Sequence, residues 1–412
     1  MTAIQFKETS NSSPGDRGMI SVAAAKKMIA EYCVPLQPVK LPLLKAAGLI
    51  LAKDVYASID IPAYPQSSMD GYAFSFADLR NKQPLKVKGE MAAGSNETTS
   101  LNPGNAVRIF TGAAVPAGAD TVVMQEKTKI ENGNLLIADE NITQGLNVRA
   151  KGSEIKTGEL AAAKDTLLMP GTIGFLAGIG ITEVVVYPLP SISIIVTGNE
   201  LQTPGQPLQY GQVYESNSFT LQAALKQMQI DNVKVYNAED KLETVIQLLG
   251  NTLQQNDIVL LTGGVSVGDY DFVAEAATQN GVEKIFHKIK QRPGKPFYFG
   301  KKENKLVFGL PGNPASVLTC FYEYVEPALK QLSKQKTGLQ VMQVPLAESI
   351  KKPAGLTHFL KGFYDGKSVT ALNAQESYRL SSFAKANCLL QINEEITGCS
   401  KGEMIEIHLL PD

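Results

Sequence analysis

Tryptophan is absent from this chain of 412 residues, and histidine occurs only three times, at His287, His358 and His408. A histidine-rich zinc site or a Ser-His-Asp triad therefore has few candidate ligands or bases. We expect any chemistry in this chain to rely on carboxylates, lysines, backbone amide groups and a bound metal ion.

Cysteine is also scarce. The four cysteines, Cys33, Cys320, Cys388 and Cys399, are far apart and form no C-x-x-C pair. Without metal-ligand spacing, they indicate reduced thiols in a cytosolic protein rather than a zinc site or a disulfide framework.

Long apolar runs and an excess of charge are both missing. The longest apolar candidate, IGFLAGIGI at 173–181, is shorter than the roughly 18 residues that a transmembrane helix needs. The polar N-terminus MTAIQFKETSNSSPGDRG lacks the apolar core of a secretory signal. Because 39 basic residues nearly cancel 40 acidic ones, a dedicated nucleic-acid surface is not expected. The sequence predicts a cytoplasmic protein that binds neither membranes nor nucleic acid.

A regular alternation of strand-like and helix-like segments fills the region between residues 186 and 335. The predicted strands are 191–198, 232–237, 257–264 and 305–310. The predicted helices are 216–229, 240–254, 271–280 and 313–332. Such alternation is typical of a three-layer α/β/α domain with a mostly parallel sheet.

The flanking regions have other patterns, and the chain is long for one hydrophobic core. Ser21 is a predicted N-cap for a helix over 21–33. Short β-branched runs separated by turn residues indicate a β-rich unit before residue 148, and short strands recur after about residue 338. We therefore predict four domains: an N-terminal elongated helical and linker domain (19–54 plus 149–185), an inserted β-rich domain (55–148), an α/β substrate-binding domain (186–335) and a C-terminal β domain (336–412).

The stretch LTGGVSVGDYDF, residues 261–272, follows a predicted strand. Glycines at a strand end let backbone N–H groups approach an anion, and the helix that follows adds partial positive charge. The spacing matches neither a Walker A loop nor a G-x-G-x-x-G fingerprint. From the residues alone, a phosphate-binding loop and a simple tight turn are both open.

Acidic side chains follow three predicted strands of the same sheet. Glu200 comes after the first strand, Asp240 after the second, and Asp269 and Asp271 leave the glycine-rich loop. Because the carboxyl ends of parallel strands meet at one edge, these carboxylates are candidates for a shared Mg²⁺ site. A solvated surface is the alternative for each, and helix capping is the alternative for Asp271.

Two further loops complete this edge. KIKQRPGKP (288–296) carries Lys288, Lys290, Arg292 and Lys295 around a Pro-Gly turn and can hold a phosphate or an oxyanion. Its alternative is a solvated hairpin. GLPGNPAS (309–316) opens the last helix, with Asn313 as a candidate cap and Pro314 at the first helical position. A purely structural role is open for this loop as well.

Seven short sequence motifs together resemble those of one family. They are SSMDGYAF, RIFTGAAVPAGADTVVMQE, TGNEL, ESNS, TGGVSVGDYDF, RPGKP and GLPGNPAS, and they occur in family order over most of residues 55–330. The chain is identified as a member of the MoeA family of molybdopterin molybdenumtransferases, which is related to the E domains of gephyrin and of its plant counterpart.

The resemblance implies insertion of molybdenum from molybdate into adenylylated molybdopterin, with Mg²⁺ and with release of AMP. It also implies a central domain of the MogA type, an elongated homodimer, and a MogA-like adenylyltransferase as a further partner. The family's catalytic positions fall on Asp70, Thr111, Glu200, Asp240, Asp271, Lys288 and Arg292, of which Glu200, Asp240 and Asp271 would hold the metal. Its binding positions fall on Gly263, Gly264, Ser266, Gly268, Lys295, Pro311, Asn313 and Pro314. In the family arrangement, Asp70 and Thr111 come from the partner subunit.

Two departures from the family pattern lie at or directly beside these positions. Arg292 stands where lysine is common, and Asn199 replaces a common aspartate beside Glu200. Three alternative functions stay open: a non-catalytic dimeric scaffold that binds peptides, as gephyrin E domains do, a tungstate-using paralogue, and a nucleotide or pyrophosphate hydrolase.

Overall fold

The computed structural model describes residues 18–82, 84–95, 100–264, 272–336 and 338–411. The chain divides into two compact units, one of Met1–Pro38 with Tyr187–Asp412 and one of Val39–Val186. The first contains the predicted α/β region and the C-terminal strands, and the second contains the β-rich region.

A six-stranded sheet forms the centre of the first unit. Its strands are β1 (Ile192–Thr197), β2 (Val233–Ala238), β3 (Ile258–Thr262), β4 (Glu283–Lys288), β5 (Pro296–Lys302) and β6 (Lys305–Leu310). The spatial order is β2-β1-β3-β6-β5-β4. Strands β2, β1, β3 and β6 are parallel, whereas β5 runs antiparallel to both β6 and β4. The predicted mostly parallel sheet is confirmed.

Strands β4 and β5 were not predicted from the sequence. Strand β4 has the sequence EKIFHK and lies at the edge of the sheet, where only Phe286 is fully buried. Edge strands commonly carry charged residues, so the apolar pattern that marks the inner strands is missing there. The basic stretch after β4 is therefore the connection of a β-hairpin that belongs to the sheet.

Helices cover both faces of this sheet, because alternate residues of each strand point to opposite sides. Ile194 and Leu260 pack into a core cluster with the helices Asn217–Gln227, Pro314–Cys320 and Glu326–Leu332. Ile195 and Leu261 pack into a second cluster with the helices Leu242–Gln255 and Phe272–Gln279. The predicted three-layer α/β/α arrangement is confirmed.

The N-terminal helix Val22–Tyr32 packs in the first of these clusters. The Ser21 side chain accepts a hydrogen bond from the Ala24 amide at 3.2 Å, which confirms the predicted N-cap. The predicted helix 313–332 packs directly against this N-terminal helix and is interrupted by a π-helical turn at Phe321–Val325. Pro327 has no N–H for the carbonyl of Glu323 four residues earlier, which explains why the regular α-helical bonding is lost there.

The C-terminal region forms another six-stranded sheet, as the sequence predicts for a β region. Its strands are Gln291–Arg292, Gln340–Pro345, Thr357–Tyr364, Val369–Ala371, Cys388–Ile392 and Met404–Leu409. The ladder is antiparallel except that Gln291–Arg292 pairs in parallel with Thr357–Tyr364. A short antiparallel pair, Ile350–Lys351 with Gly398–Cys399, lies outside this sheet.

The second unit is rich in strands, as predicted. Its main sheet contains Gly71–Phe74, Leu85–Met91, Asn105–Ile109, Thr121–Met124, Thr128–Glu131 and Asn134–Ile137. A smaller sheet joins Val39–Pro42, Ile50–Leu51 and Glu183–Tyr187. Two-stranded pairs join Val55–Tyr56 with Leu160–Ala162 and Gln66–Ser67 with Val148–Arg149. Among the described residues of this unit, the α-helices are Phe76–Arg80 and Pro170–Gly178.

Cys33, Cys320, Cys388 and Cys399 are all buried free thiols, which agrees with the predicted reduced state. Burial raises the pKa of Cys33 to about 12, and that of Cys388 to about the same value. Within the described ranges, no helix combines the length and apolar character that crossing a membrane requires.

Candidate functional site

A cavity of about 1150 Å³ opens at the carboxyl ends of β1, β2, β3 and β6. This is the edge at which open α/β sheets bind their ligands. The predicted residues that line it are Glu200, Asp240, Gly263, Gly264, Lys288, Lys295, Pro311, Asn313 and Pro314. Ser266, Gly268, Asp269 and Asp271 lie outside the described residues.

The floor of the cavity is built where β1 and β3 end side by side. Gly263 adopts a φ of +83°, and a Cβ atom there would lie 2.2 Å from the carbonyl oxygen of Thr197. Only glycine fits at this position, because a side chain would meet both backbone strain and a collision. The hydroxyl oxygens of Thr197 and Thr262 are buried without a hydrogen-bond partner among the described residues. Of the two, only Thr197 lines the cavity, so its hydroxyl is free to bind a ligand oxygen at this floor.

Asp240 is held in place by the loop after β1. The Asn199 amide N–H donates to Asp240 Oδ2 at 3.3 Å, and the Asp240 amide N–H donates to Asn199 Oδ1 at 3.2 Å. The other carboxylate oxygen, Asp240 Oδ1, is buried and has no partner among the described residues. A buried carboxylate oxygen without a donor is unfavourable unless a cation or a proton reaches it. Glu200 is exposed at the rim of the same cavity.

These carboxylates suit a metal that needs few protein ligands. In the part of the chain that the structure describes, no cluster of three or more His, Cys, Asp or Glu side chains is arranged to hold a metal ion. Mg²⁺ commonly binds one or two carboxylates and completes its octahedron with water and substrate phosphates. The unpartnered Asp240 Oδ1 therefore fits Mg²⁺ with substrate better than a closed all-protein site.

The positive side of the cavity comes from the β4–β5 hairpin. Lys288, at the end of β4, and Lys295, just before β5, are both half-buried in the cavity wall. Arg292 lies between them in sequence, but its side chain is exposed. Its backbone is aligned with that of His358 in a parallel strand pair of the C-terminal sheet. It is not among the residues that line the cavity. Burial, with the charges of Lys352 and Arg292, lowers the pKa of His358 to about 4.

Sequence reasoning did not assign Glu215 and Asn217, which also line this cavity. The Glu215 carboxylate accepts hydrogen bonds from Ser218, from its amide at 2.8 Å and from its hydroxyl at 2.6 Å. Asn217 Nδ2 donates to the carbonyl of Gly312 at 2.9 Å. Both residues lie in the motif ESNS. The signal that could have identified them was an acidic residue directly before a predicted helix, where it can accept hydrogen bonds from the first helical residues.

The proline-rich loop differs in one detail from its prediction. Asn313 is at the N-cap position and Pro314 is the first helical residue, but the Asn313 side chain makes no capping bond. Its Nδ2 instead donates to Ser377 Oγ at 2.9 Å, and the Ala315 amide donates to the Ser377 carbonyl at 3.0 Å. Tyr378, from the same C-terminal segment, lines the cavity. No sequence signal links this segment to the α/β loops.

Asp70 and Thr111, the remaining predicted residues, lie together in the second unit. The Asp70 Oδ1 atom accepts hydrogen bonds from the Thr111 amide and from the Thr111 hydroxyl, each at 2.8 Å. These bonds, with the charge of Arg108, lower the pKa of the exposed Asp70 carboxyl. Gly71 lies so close to Val123 that a Cβ atom would be 1.8 Å from its carbonyl oxygen. The MDG stretch therefore fixes Asp70 as an ionised carboxylate at the start of a strand.

Three family models match this chain in sequence order. They are the MoeA N-terminal region (domain I and II) over residues 20–180, the probable molybdopterin binding domain over residues 193–331, and the MoeA C-terminal region (domain IV) over residues 343–410.

Known proteins match over nearly the whole length. A protein of Haemophilus influenzae named molybdopterin molybdenumtransferase is 34% identical, with 94% of this chain and 98% of that protein covered. A Staphylococcus aureus protein of the same name is 32% identical, with 95% and 96% covered. Among solved structures, the molybdopterin biosynthesis MoeA protein of Pyrococcus horikoshii superposes with a TM-score of 0.81 at 29% identity, over 96% of this chain and 100% of that one.

Proposed function

We infer that the chain, which belongs to the MoeA family, is a molybdopterin molybdenumtransferase of molybdenum cofactor biosynthesis. Its substrates would be adenylylated molybdopterin and molybdate, and the reaction would leave molybdenum on the dithiolene sulfurs and release AMP. One observation carries this proposal: the cavity at the sheet edge brings carboxylates, lysines and glycine-bordered strand ends together in a chain that matches the family from end to end.

Binding of the anionic substrates is assigned to the floor and the basic side of the cavity. The lysines Lys288 and Lys295 attract the phosphates and molybdate as point charges. The Thr197 hydroxyl and the backbone N–H groups at Gly263 and Gly264 offer uncharged donors at the floor. The loop from Pro311 to Pro314 forms a further part of the cavity wall. Ser266 and Gly268 are proposed to extend the glycine-rich floor.

Mg²⁺ is assigned to the acidic side, with Glu200, Asp240 and Asp271 as its proposed ligands. When bound, the metal would polarise the phosphoanhydride of the adenylylated substrate. Asp240 supports this role best, because its buried Oδ1 atom lacks a partner among the described residues while Asn199 fixes its other oxygen and its backbone.

The basic residues would then act during bond cleavage. As a molybdate oxygen or a water attacks the phosphoanhydride, Lys288 in the cavity wall stabilises the developing negative charge and AMP leaves. Arg292 lies outside the cavity lining, so its proposed contribution is the longer-range attraction of its positive charge. We propose that the chain works as a cytoplasmic homodimer in which each cavity receives Asp70 and Thr111 from the second subunit. A MogA-like adenylyltransferase is the proposed supplier of the adenylylated substrate.

The four-domain division of the sequence is part of the same proposal. The inserted β-rich domain (55–148) of one subunit would supply Asp70 and Thr111 to the cavity of the other subunit. The α/β domain (186–335) would bind the substrate. The elongated domain (19–54 plus 149–185) would join them, and the C-terminal domain (336–412) would complete the cavity wall. Truncations at these boundaries, tested for cooperative unfolding, examine the division.

The function is tested by incubating the purified chain with adenylylated molybdopterin and with molybdate, tungstate or no oxyanion, each in the presence and in the absence of Mg²⁺. AMP release and metal retained on the pterin are measured together. The Asp240→Asn variant removes the charge of the proposed ligand, and we expect it to lose Mg²⁺-dependent AMP release. Glu239→Gln is the matched control, because Glu239 is an exposed neighbouring acid that pairs with Lys241 and does not line the cavity.

Each alternative function has its own outcome in this assay. A scaffold would release no AMP in any arm. A hydrolase would release AMP without molybdate and would leave no metal on the pterin. A tungstate-using paralogue would leave tungsten on the pterin in preference to molybdenum. Equal Mg²⁺ dependence in the Asp240→Asn variant and in the wild type would overturn the metal assignment alone.

A further inference from the structure

One buried lysine in the C-terminal sheet has no role in the proposed reaction. Lys361 lies on the strand Thr357–Tyr364 and is only 2% exposed. Its ammonium donates to the backbone carbonyls of Ala374 at 2.8 Å, Arg379 at 3.1 Å and Glu376 at 3.4 Å. Among the described residues, no carboxylate forms an ion pair with it.

Burying an ammonium group without a carboxylate is costly, and here burial lowers the pKa of Lys361. The three carbonyls compensate only if the segment that carries them keeps its shape. If the ammonium is removed, these carbonyls lose their donor, so the segment loses the contact around which it is folded. The Lys361 side chain therefore stabilises a separate segment, residues 372–382, here called the 372–382 loop, rather than the core of its own sheet.

Two other polar side chains close the same loop. Gln375 bonds to both backbone groups of Lys361, with Oε1 accepting from the amide at 3.0 Å and Nε2 donating to the carbonyl at 2.8 Å. The Ser382 hydroxyl donates to the Ala374 carbonyl at 2.7 Å. Side chains near the start and at the end of the loop thus hold it in place, and Ser377, Tyr378 and Arg379 lie between these two points.

Those middle residues reach the cavity. Ser377 bonds to Asn313 and to the amide of Ala315, at the start of the helix that borders the cavity. Tyr378 lines the cavity and is 59% exposed, so its ring is accessible to a ligand there. The Arg379 guanidinium lies 5.6 Å from the centre of the Tyr378 ring, and its Nε donates to the Tyr378 hydroxyl at 3.2 Å. The loop therefore presents a fixed aromatic ring to the cavity.

We propose that Lys361 is a positioning residue for the substrate cavity: it holds the 372–382 loop so that Tyr378 forms an aromatic wall against a ring of the substrate. The inference rests on the proposed function, because that function supplies a substrate with two planar ring systems, a pterin and an adenine. Planar rings stack on exposed aromatic side chains, and such a stack stabilises binding rather than bond cleavage.

The test compares Lys361→Met with Lys352→Met. Lys352 is the matched control, since it is 6% exposed in the same region and also donates to carbonyls, those of Leu356 at 2.9 Å and Pro353 at 3.3 Å. It does not line the cavity. We expect Lys361→Met to raise KM for adenylylated molybdopterin about tenfold with kcat for AMP release nearly unchanged. Lys352→Met should leave both parameters unchanged.

A double-variant comparison separates positioning from a general loss of stability. Tyr378→Ala should raise KM to a similar extent, and adding Lys361→Met to it should raise KM no further, because both changes remove the same wall. Independent, multiplying effects would overturn the proposal. So would a wild-type KM in Lys361→Met.

A second measurement does not depend on activity. Hydrogen exchange at the Ala315 amide should become faster in Lys361→Met but not in Lys352→Met, because Ser377 would leave its partner. If the wild type releases no AMP, the proposed function fails, whereas faster exchange at Ala315 still supports the role of Lys361. Unchanged exchange there would overturn that role. Should Lys361→Met fail to fold, Gln375→Ala tests the same loop by both measurements.

Discussion

Replacing Gly263 with alanine tests the floor of the cavity most directly. Gly263 has a φ of +83°, and an added Cβ atom would lie 2.2 Å from the Thr197 carbonyl oxygen and 2.8 Å from its Oγ1 atom. Since carbon and oxygen atoms rarely approach closer than about 3.2 Å without strain, the end of β1 or β3 must move by roughly 1 Å.

Two effects of this substitution have different sizes. The left-handed backbone conformation costs alanine about 1–2 kcal/mol, wherever it occurs. The displacement acts on the residues that the floor positions, and a misplacement of about 1 Å can reduce a catalysed rate about 100-fold. Activity should therefore fall far more than stability does.

Gly366→Ala is the control for the first effect. Gly366 has a φ of +92°, and an added Cβ atom would meet no atom within 4 Å. Both variants should lose about 2–8 °C in the unfolding midpoint from the backbone strain. In the AMP-release assay, kcat/KM should fall about 100-fold for Gly263→Ala and stay at the wild-type value for Gly366→Ala. If the two variants are equally active, the close approach of β1 and β3 does not position the substrate and the reasoning is wrong.

Three further perturbations have expected results. Burial disfavours the protonated form of His408, but its hydrogen bond and charge interaction with Glu323 outweigh this and raise its pKa. The stability from this pair is therefore fully present below pH 6.5, the ordinary pKa of histidine, and is lost as the pH rises through the raised value. A His408→Gln variant should lose that dependence in urea unfolding measured across pH. Thr111→Val removes one donor to Asp70, so NMR titration should find the pKa of Asp70 closer to 3.8, its ordinary value. Glu215→Ala removes both bonds to Ser218 and should lower the free energy of unfolding by about 1–2 kcal/mol.

Opposite results would contradict each of these interpretations. A His408→Gln chain with the same pH slope as the wild type would mean that the Glu323 pair does not govern stability in this range. A Thr111→Ser control keeps the hydroxyl and should leave the pKa of Asp70 lowered. For Glu215, the Glu215→Gln variant separates charge from hydrogen bonding, because it retains an acceptor oxygen.

Much of the inner sheet was predictable from local sequence. Runs such as SISIIVTG and DIVLLTGG are apolar throughout, and only a strand buried on both faces accommodates such a run between turns. Asp240 and Glu200 could be placed at the sheet edge because each directly follows a predicted strand, and parallel strands end together. The N-cap at Ser21 was predictable for the same local reason, since its partner Ala24 is three residues away.

Other features of the site depend on residues that are distant in sequence. Asn313 was predicted to cap its own helix, yet its side chain bonds to Ser377, 64 residues later. Strand β4 lacked an apolar pattern because it lies at the edge of the sheet, where only one residue is buried. Strand β5 is an inner strand with the apolar run PFYFG, and the sequence prediction missed it. The sequence also left open whether LTGGVSVGDYDF binds an anion. In the described part of this stretch, Gly263 lies close to the Thr197 carbonyl oxygen. The roles of Ser266, Gly268, Asp269 and Asp271 remain predictions.

The sequence by itself determined which segments become buried strands, which residue types follow them, and which family the chain belongs to, because these depend on local periodicity and on motif order. Only the tertiary structure decided which carboxylate oxygen is left unpartnered, which glycine must lack a side chain, and that a buried lysine donates to carbonyls of the loop that carries Tyr378. Those properties arise from contacts between segments far apart in the chain, and no local pattern of residues encodes the distances between them.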